Sequence, residues 1–245
     1  MLSDRMTAVL ALLGGGSDGE RDAGLLPAAA AAAAEALGVD GVFAGAGVGP
    51  QGVILAWGRD KTSTALQDAQ FTLGQGPGLE AVEAGTPVLV PDLADAASRW
   101  PGFVPAARDL GVHAIFAFPL RIGAISVGVL TAHRAIPGPL ADGQLADALA
   151  LADTVTVLLL YRAPPDPDPG RAEDGWSARP PDEAQSTTYR PEVHQATGMI
   201  SVQLDVSLAE ALVRLRAHAY GNDRPIAEVA ADVVARRLRF EDPNR

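Results

Sequence analysis

The sequence predicts an α+β domain, an antiparallel sheet with flanking helices, followed by an all-α bundle of three helices. Three observations carry this. Through residue 162, helical periodicity alternates with short apolar runs bounded by Gly and Pro. Residues 163–184 then hold six prolines and six acids with almost no apolar side chains, a composition that builds no core and reads as a flexible or extended linker. Beyond it, residues 193–238 carry three apolar stripes at helical spacing. The expected division is therefore a domain at 1–162, a linker at 163–184 and a helical domain at 185–245.

In the first domain, the alanine-rich run 25–37 is helical. Residues 41–48 and 52–57 are β-like and split by the turn signal Gly49-Pro50-Gln51-Gly52. Residues 62–72 and 78–84 read as helix or turn around Gly74-Gln75-Gly76-Pro77-Gly78, and 87–90 as a strand. A helical pattern over 94–110 breaks at Pro101-Gly102. Residues 114–119 and 124–132 form a strand pair about the turn at 121–123, and 140–161 close the domain as a helix with Leu145, Leu149 and Ala152 on one stripe. Helices placed at both ends of such a sheet bury one face and leave the other to form a pocket.

In the C-terminal domain, Val193, Ala196, Ile200 and Leu204 step by three and four residues. Ser207 with Glu210 forms a capping box that opens the second helix. That helix carries Leu208, Ala211, Leu212, Leu215 and Ala219, and Gly221-Asn222 stops it. Pro225 suits the first turn of a third helix, with Ile226, Val229, Ala230 and Val233 facing inward. Short connections leave these stripes only one another, or a partner, to pack against.

Composition excludes several classes. The absence of cysteine removes disulfides, thiolate metal sites and thiol catalysis. A net charge of −11 argues against general attraction to polyanions or anionic membranes. No run reaches the eighteen apolar residues of a transmembrane helix, and the run 7–13 with Asp4 and a single Arg5 before it is a poor secretory signal. A cytoplasmic location is expected.

The spacing in the C-terminal domain resembles the ANTAR module, an RNA-binding unit of bacterial antitermination regulators. Ala196-Thr197-Gly198, Ala211, Leu215, Ala219, and Ile226 with Val229-Ala230 carry the resemblance across all three helices. Relatives often place lysine where this chain has Thr197. The first domain resembles a GAF domain of the kind joined to ANTAR modules in actinobacterial regulators. Here the carriers are Leu73-Gly74-Gln75-Gly76-Pro77-Gly78, Ala81, Pro91-Asp92-Leu93, Arg99-Trp100-Pro101, Gly111-Val112, Phe118-Pro119-Leu120 and Gly128-Val129-Leu130. Relatives often have Cys at the position of Gly78, and its absence removes thiol-based sensing. The Gly-x-Gly-Pro-Gly motif lacks a surrounding βαβ unit and is no dinucleotide fingerprint. By itself it signals a tight turn.

Together the resemblances imply a GAF-like antiparallel sheet with flanking helices that senses a small ligand or partner, and an ANTAR bundle that binds paired hairpins in nascent RNA. A homodimer would present two modules at once. Residues 186–245 contain eight arginines and eight acids, so RNA contact depends on arginines gathering on one face. Candidate RNA-binding residues are Gln195, Thr197 and Ser201 about Gly198, read as a turn, and Arg214, Arg216, Arg224, Arg236, Arg237 and Arg239. Glu210–Arg214, Arg224–Glu228 and Asp232–Arg236 are i,i+4 pairs that serve equally as surface support. Arg216 has no acid at i±3 or i±4 and is the leading candidate. Candidate ligand-binding residues are Asp92, Arg99, Trp100 and His113. Asp92 after Pro91 also suits a cap, and Arg99 beside Trp100 a stacked surface pair. His113 and His133 lie too far apart in sequence, with no third ligand near, to suggest a metal site. No cofactor is expected, and an enzyme is the weaker class beside a regulator or a protein-interaction module without RNA binding.

Overall fold

The computed structural model describes residues 2–14, 22–46, 55–58, 60–162, 191–222 and 224–241. The expected linker at 163–184, with Trp176, and the turn at 49–52 lie outside them. The chain runs α1 (Asp4–Gly14), α2 (Asp22–Leu37), β1 (Gly41–Ala46), β2 (Leu55–Trp57), α3 (Lys61–Leu73), α4 (Pro77–Ala84), β3 (Val88–Val90), a 3-10 turn (Leu93–Ala96), α5 (Phe103–Asp109), β4 (Ala114–Ile122), β5 (Ile125–Arg134) and α6 (Asp142–Arg162). Then come α7 (Pro191–Leu204), α8 (Leu208–Gly221) and α9 (Ile226–Val234).

The five strands form one antiparallel sheet in the order β2-β1-β5-β4-β3. Alternate residues along β4 and β5 point to opposite faces. Phe116, Phe118, Leu120, Leu130 and Ala132 meet α1, α2 and α6 on one side, with Val42 and Ala44 of β1. Ile115, Ala117 and Val129 meet the layer of α3, α4 and α5 on the other. Both faces are therefore covered by helices, rather than one being left as an open pocket wall. The cause is visible in β4, where residues 114–118 are all buried. A strand sandwiched on both sides reads as a continuous apolar run.

Three local outcomes refine or correct the sequence expectation. The apolar run at 7–13 belongs to α1, whose Met6, Val9 and Leu13 are buried against α2 and α6. Ser3 ties that helix down by donating its backbone N–H and its hydroxyl to Asp147 on α6, at 3.0 and 2.6 Å. The α6 stripe is rotated from that expected: Ala148, Leu151, Ala152 and Val155 are buried, whereas Leu149 faces outward. The pattern at 94–110 resolves into the 3-10 turn and the short α5, parted at Pro101-Gly102 as expected.

The Gly-rich motif is the corner between α3 and α4. Gly74 ends α3 in the left-handed conformation, with φ 65° and its N–H donating to Gln70 O. Gly76 takes φ 138°, where a Cβ would lie 2.6 Å from Gln70 Cγ. The Gln70 side chain fills the space beneath, its Oε1 accepting from Gly78 N at 2.7 Å.

The three C-terminal helices pack about Val193, Ala196, Ile200, Ala211, Leu212, Leu215, Ala219, Ile226, Val229, Ala230 and Val233, all buried. Ser207 caps α8 by accepting from Glu210 N at 3.2 Å. Gly198 lies inside α7 and not at a turn. Among the described residues no single helix is long and apolar enough to cross a membrane.

Candidate functional site

A partly buried polar cluster lies between α3 and the sheet. Asp60 caps α3, its Oδ1 accepting from Ser63 N at 2.8 Å. The Ser63 hydroxyl donates to Asp60 Oδ2 at 2.5 Å and lies 3.1 Å from His133 Nε2. Gly41 pairs with His133 across β1 and β5, and a Cβ there would lie 2.4 Å from Nε2, so the ring occupies the room a side chain would take. One turn along α3, Gln67 Nε2 donates to Thr131 Oγ1 at 3.3 Å. Ser63, Leu66, Gln67 and Gln70 thus form the inward stripe of α3, opposite Thr131 and His133 of β5.

The hydrogen-bond inventory of this cluster fixes its chemistry. The Ser63 proton is committed to Asp60, so His133 Nε2 carries its own proton and donates it to Ser63. That leaves His133 Nδ1 as a buried acceptor without a partner. Gln70 Nε2 is a buried donor without a partner. Such atoms cost free energy unless something fills their bonds. Ser63 itself is sequestered and poorly placed for attack, because Asp60 contacts the serine rather than the far side of the imidazole.

Burial lowers the His133 pKa, against opposing pulls from Asp60 and Asp40. Because the folded value lies below the unfolded one, the unfolded chain binds the extra proton first. The stabilisation is complete above the ordinary histidine pKa of about 6.5 and declines as pH falls below it toward the folded value. Thermal unfolding temperature is expected to fall between about pH 7 and pH 5, with His133→Gln flattening that part of the curve. An equally steep fall in the variant would remove His133 as the cause.

The residues singled out in sequence occupy other places. Asp92 caps the 3-10 turn, accepting from Ala94 N at 2.8 Å. Arg99 pairs with Glu80, its Nε donating to Oε2 at 2.8 Å, and stacks 4.7 Å above the Trp100 ring. Trp100 is buried edge-on to Phe103. His113 is held through its backbone, between Arg134 O and Leu93 N. Asp92, Arg99 and Trp100 share one neighbourhood, and each has a structural partner there. The inward stripe of α3 went unread because its partners are far away in sequence. The signals available were Asp60 three residues before Ser63, and Thr131 alternating with His133.

In the bundle, Gln195, Arg236 and Arg239 are exposed. Arg214 is bridged to Glu210 at 3.1 Å. Two side chains turn back onto their own backbone: Thr197 donates to Val193 O and Ser201 to Val206 O, both at 2.6 Å. Thr197 is buried, which removes it from any surface contact. The expected Asp232–Arg236 pair does not form. α9 ends at Val234, and Arg236 turns away with φ 59°. Asp232 instead receives Arg224 at 2.8 Å and Arg237 at 2.7 Å, and these hydrogen bonds lower its pKa. Arg224 also lies 3.9 Å from Glu228. Arg216 is half-buried, its guanidinium 5.2 Å from the Phe71 ring centre on α3.

Comparison with known proteins bears on the first domain. The family model for the GAF domain matches residues 23–159. Similar solved structures include the GAF domain of a phosphoenolpyruvate-protein phosphotransferase from Acinetobacter, at 13% identity and TM-score 0.47, covering 64% of this chain and 92% of that one. The corresponding domain from Coxiella burnetii is 17% identical with TM-score 0.47, covering 65% and 96%. The free methionine-R-sulfoxide reductase of Neisseria meningitidis in complex with its substrate is 15% identical with TM-score 0.44, covering 64% and 87%. No curated protein matches the chain. With more than half of its sequence inside the family match, from α2 through α6 and including every strand of the sheet, the chain belongs to the GAF domain family.

Proposed function

We propose that the chain is a two-domain regulator, in which the GAF domain senses a small ligand or partner and the C-terminal bundle binds paired RNA hairpins in the manner of an ANTAR module. The observation that carries the RNA half is the bundle itself. The positions that resemble the module, Ala196, Ala211, Leu215, Ala219, Ile226, Val229 and Ala230, form a single buried core. This leaves Gln195, Arg214, Arg236, Arg237 and Arg239 as the exposed contact residues, with Arg214 also paired to Glu210 and Arg224 and Arg237 to Asp232. For sensing, two buried polar atoms beside α3 lack partners, the His133 Nδ1 acceptor near its start and the Gln70 Nε2 donor near its end, and a small polar molecule reaching either would satisfy it. A second copy would present two bundles to two hairpins and raise the effective concentration of the second contact.

Titrating the full chain against a two-hairpin RNA over a range of salt tests this reading. Three phosphate contacts from Arg214, Arg236 and Arg239 give a slope of log affinity against log salt of about −2 to −3. Absence of any shift at low salt would sink the RNA reading.

A second reading, a protein-interaction module, is favoured by exposed apolar side chains on α7 and α8. Val202 is 84% exposed, Leu208 62%, Val213 58% and Tyr220 67%. Replacing Arg236 and Arg239 by alanine separates the two: RNA binding should fall, whereas apolar docking should persist.

A further inference from the structure

Arg216, the leading candidate cation of the bundle, is half-buried. Its guanidinium stacks over Phe71, and Phe71 in turn packs against the bundle core. Gly74, the C-cap of α3, lies beneath it: a Cβ there would come within 3.1 Å of Arg216 Nη1. A cation is thus seated on an aromatic face and against the carbonyl end of a helix, two interactions that favour positive charge. Neither matches water well, and burial lowers the Arg216 pKa while its Nε has no hydrogen-bond partner. No carboxylate bridges it among the described residues. A guanidinium held this way is docked but costly, which is the character of a contact that opens.

The same helix serves the sensing site. Gln70 and Phe71 are successive residues, so one points at the Gly76-Pro77-Gly78 corner while the other points at α8. Any movement of α3 that satisfies Gln70 moves Phe71 with it.

We propose that Arg216 seated on Phe71 and the C-terminal end of α3 is an autoinhibitory latch, which holds the bundle against the GAF domain and keeps this arginine from the bundle's binding partner. That the partner is RNA rests on the reading above; the latch does not. Filling of the α3 site is the event placed to release it.

The test uses the full chain and phenylglyoxal, an arginine-selective dicarbonyl, with modification mapped by peptide mass spectrometry. Arg214, exposed on the same helix, is the internal standard. Arg216 should react several-fold more slowly than Arg214 in the native chain, and at a similar rate in Phe71→Ala. Equal rates in the native chain overturn the latch, as does continued protection in the variant. Should Phe71→Ala fail to fold by circular dichroism, Phe71→Lys opens the same contact by charge repulsion.

Binding of the two-hairpin RNA is measured in parallel. A closed-to-open ratio of about ten predicts about ten-fold tighter binding in the opened variant. Unchanged, measurable affinity overturns the latch. If no form binds RNA while Arg216 is protected and then released, the latch stands and only the RNA reading falls.

Discussion

Replacing Gly58 by alanine is expected to lower the unfolding temperature of the GAF domain by roughly 6–12 °C. Gly58 follows β2 with φ 76°, a conformation that L side chains rarely adopt. A Cβ there would lie 2.1 Å from Val42 O and 3.0 Å from Val42 C. Val42 cannot retreat, because β1 is hydrogen-bonded between β2 and β5. Positive φ and steric overlap together cost about 3 kcal/mol or more. Thermal unfolding followed by circular dichroism checks this. A shift within about 2 °C would mean that the chain after β2 takes another path.

Leu215→Ala should act on the other domain and more selectively. Leu215 is fully buried among the residues of α7, α8 and α9. Truncating a buried leucine costs about 2–5 kcal/mol, and a bundle of about fifty residues has little more than that to lose. Amide protons of α7–α9 should lose protection against exchange while those of β4 and β5 keep theirs, and the RNA binding proposed above should disappear. The melt should separate into two transitions. Loss of protection in both domains at once would show that the bundle and the sheet unfold as one unit.

Most helices and strands were legible because their information is local. The Ser207 cap, the Pro101-Gly102 break and the stripes of α7, α8 and α9 need only neighbours within a turn or two. What was not legible depends on distance. Arg216 has no acid nearby in sequence and so looked free, but its partner Phe71 lies on another domain. His133, Ser63 and Asp60 meet only because β5 lies beside β1 and beneath α3. Thr197 and Ser201 looked like surface donors, yet short hydroxyl side chains commonly bond to nearby backbone carbonyls, Thr197 to Val193 O within α7 and Ser201 to Val206 O just past its end. The Asp232–Arg236 pair failed for a different reason: i,i+4 pairing requires helix through both residues, and α9 stops two residues short.

The corner between α3 and α4 also limits how this domain can diversify. Gly74 and Gly76 are each held to glycine by something specific, respectively a left-handed helix end against Arg216 and a positive φ over Gln70. Two such positions have no side chain to exchange when a different molecule must be accommodated. Selectivity in descendants of this sequence would have to be rewritten at Gln67 and Thr131, where a single substitution alters hydrogen bonding without touching the turn.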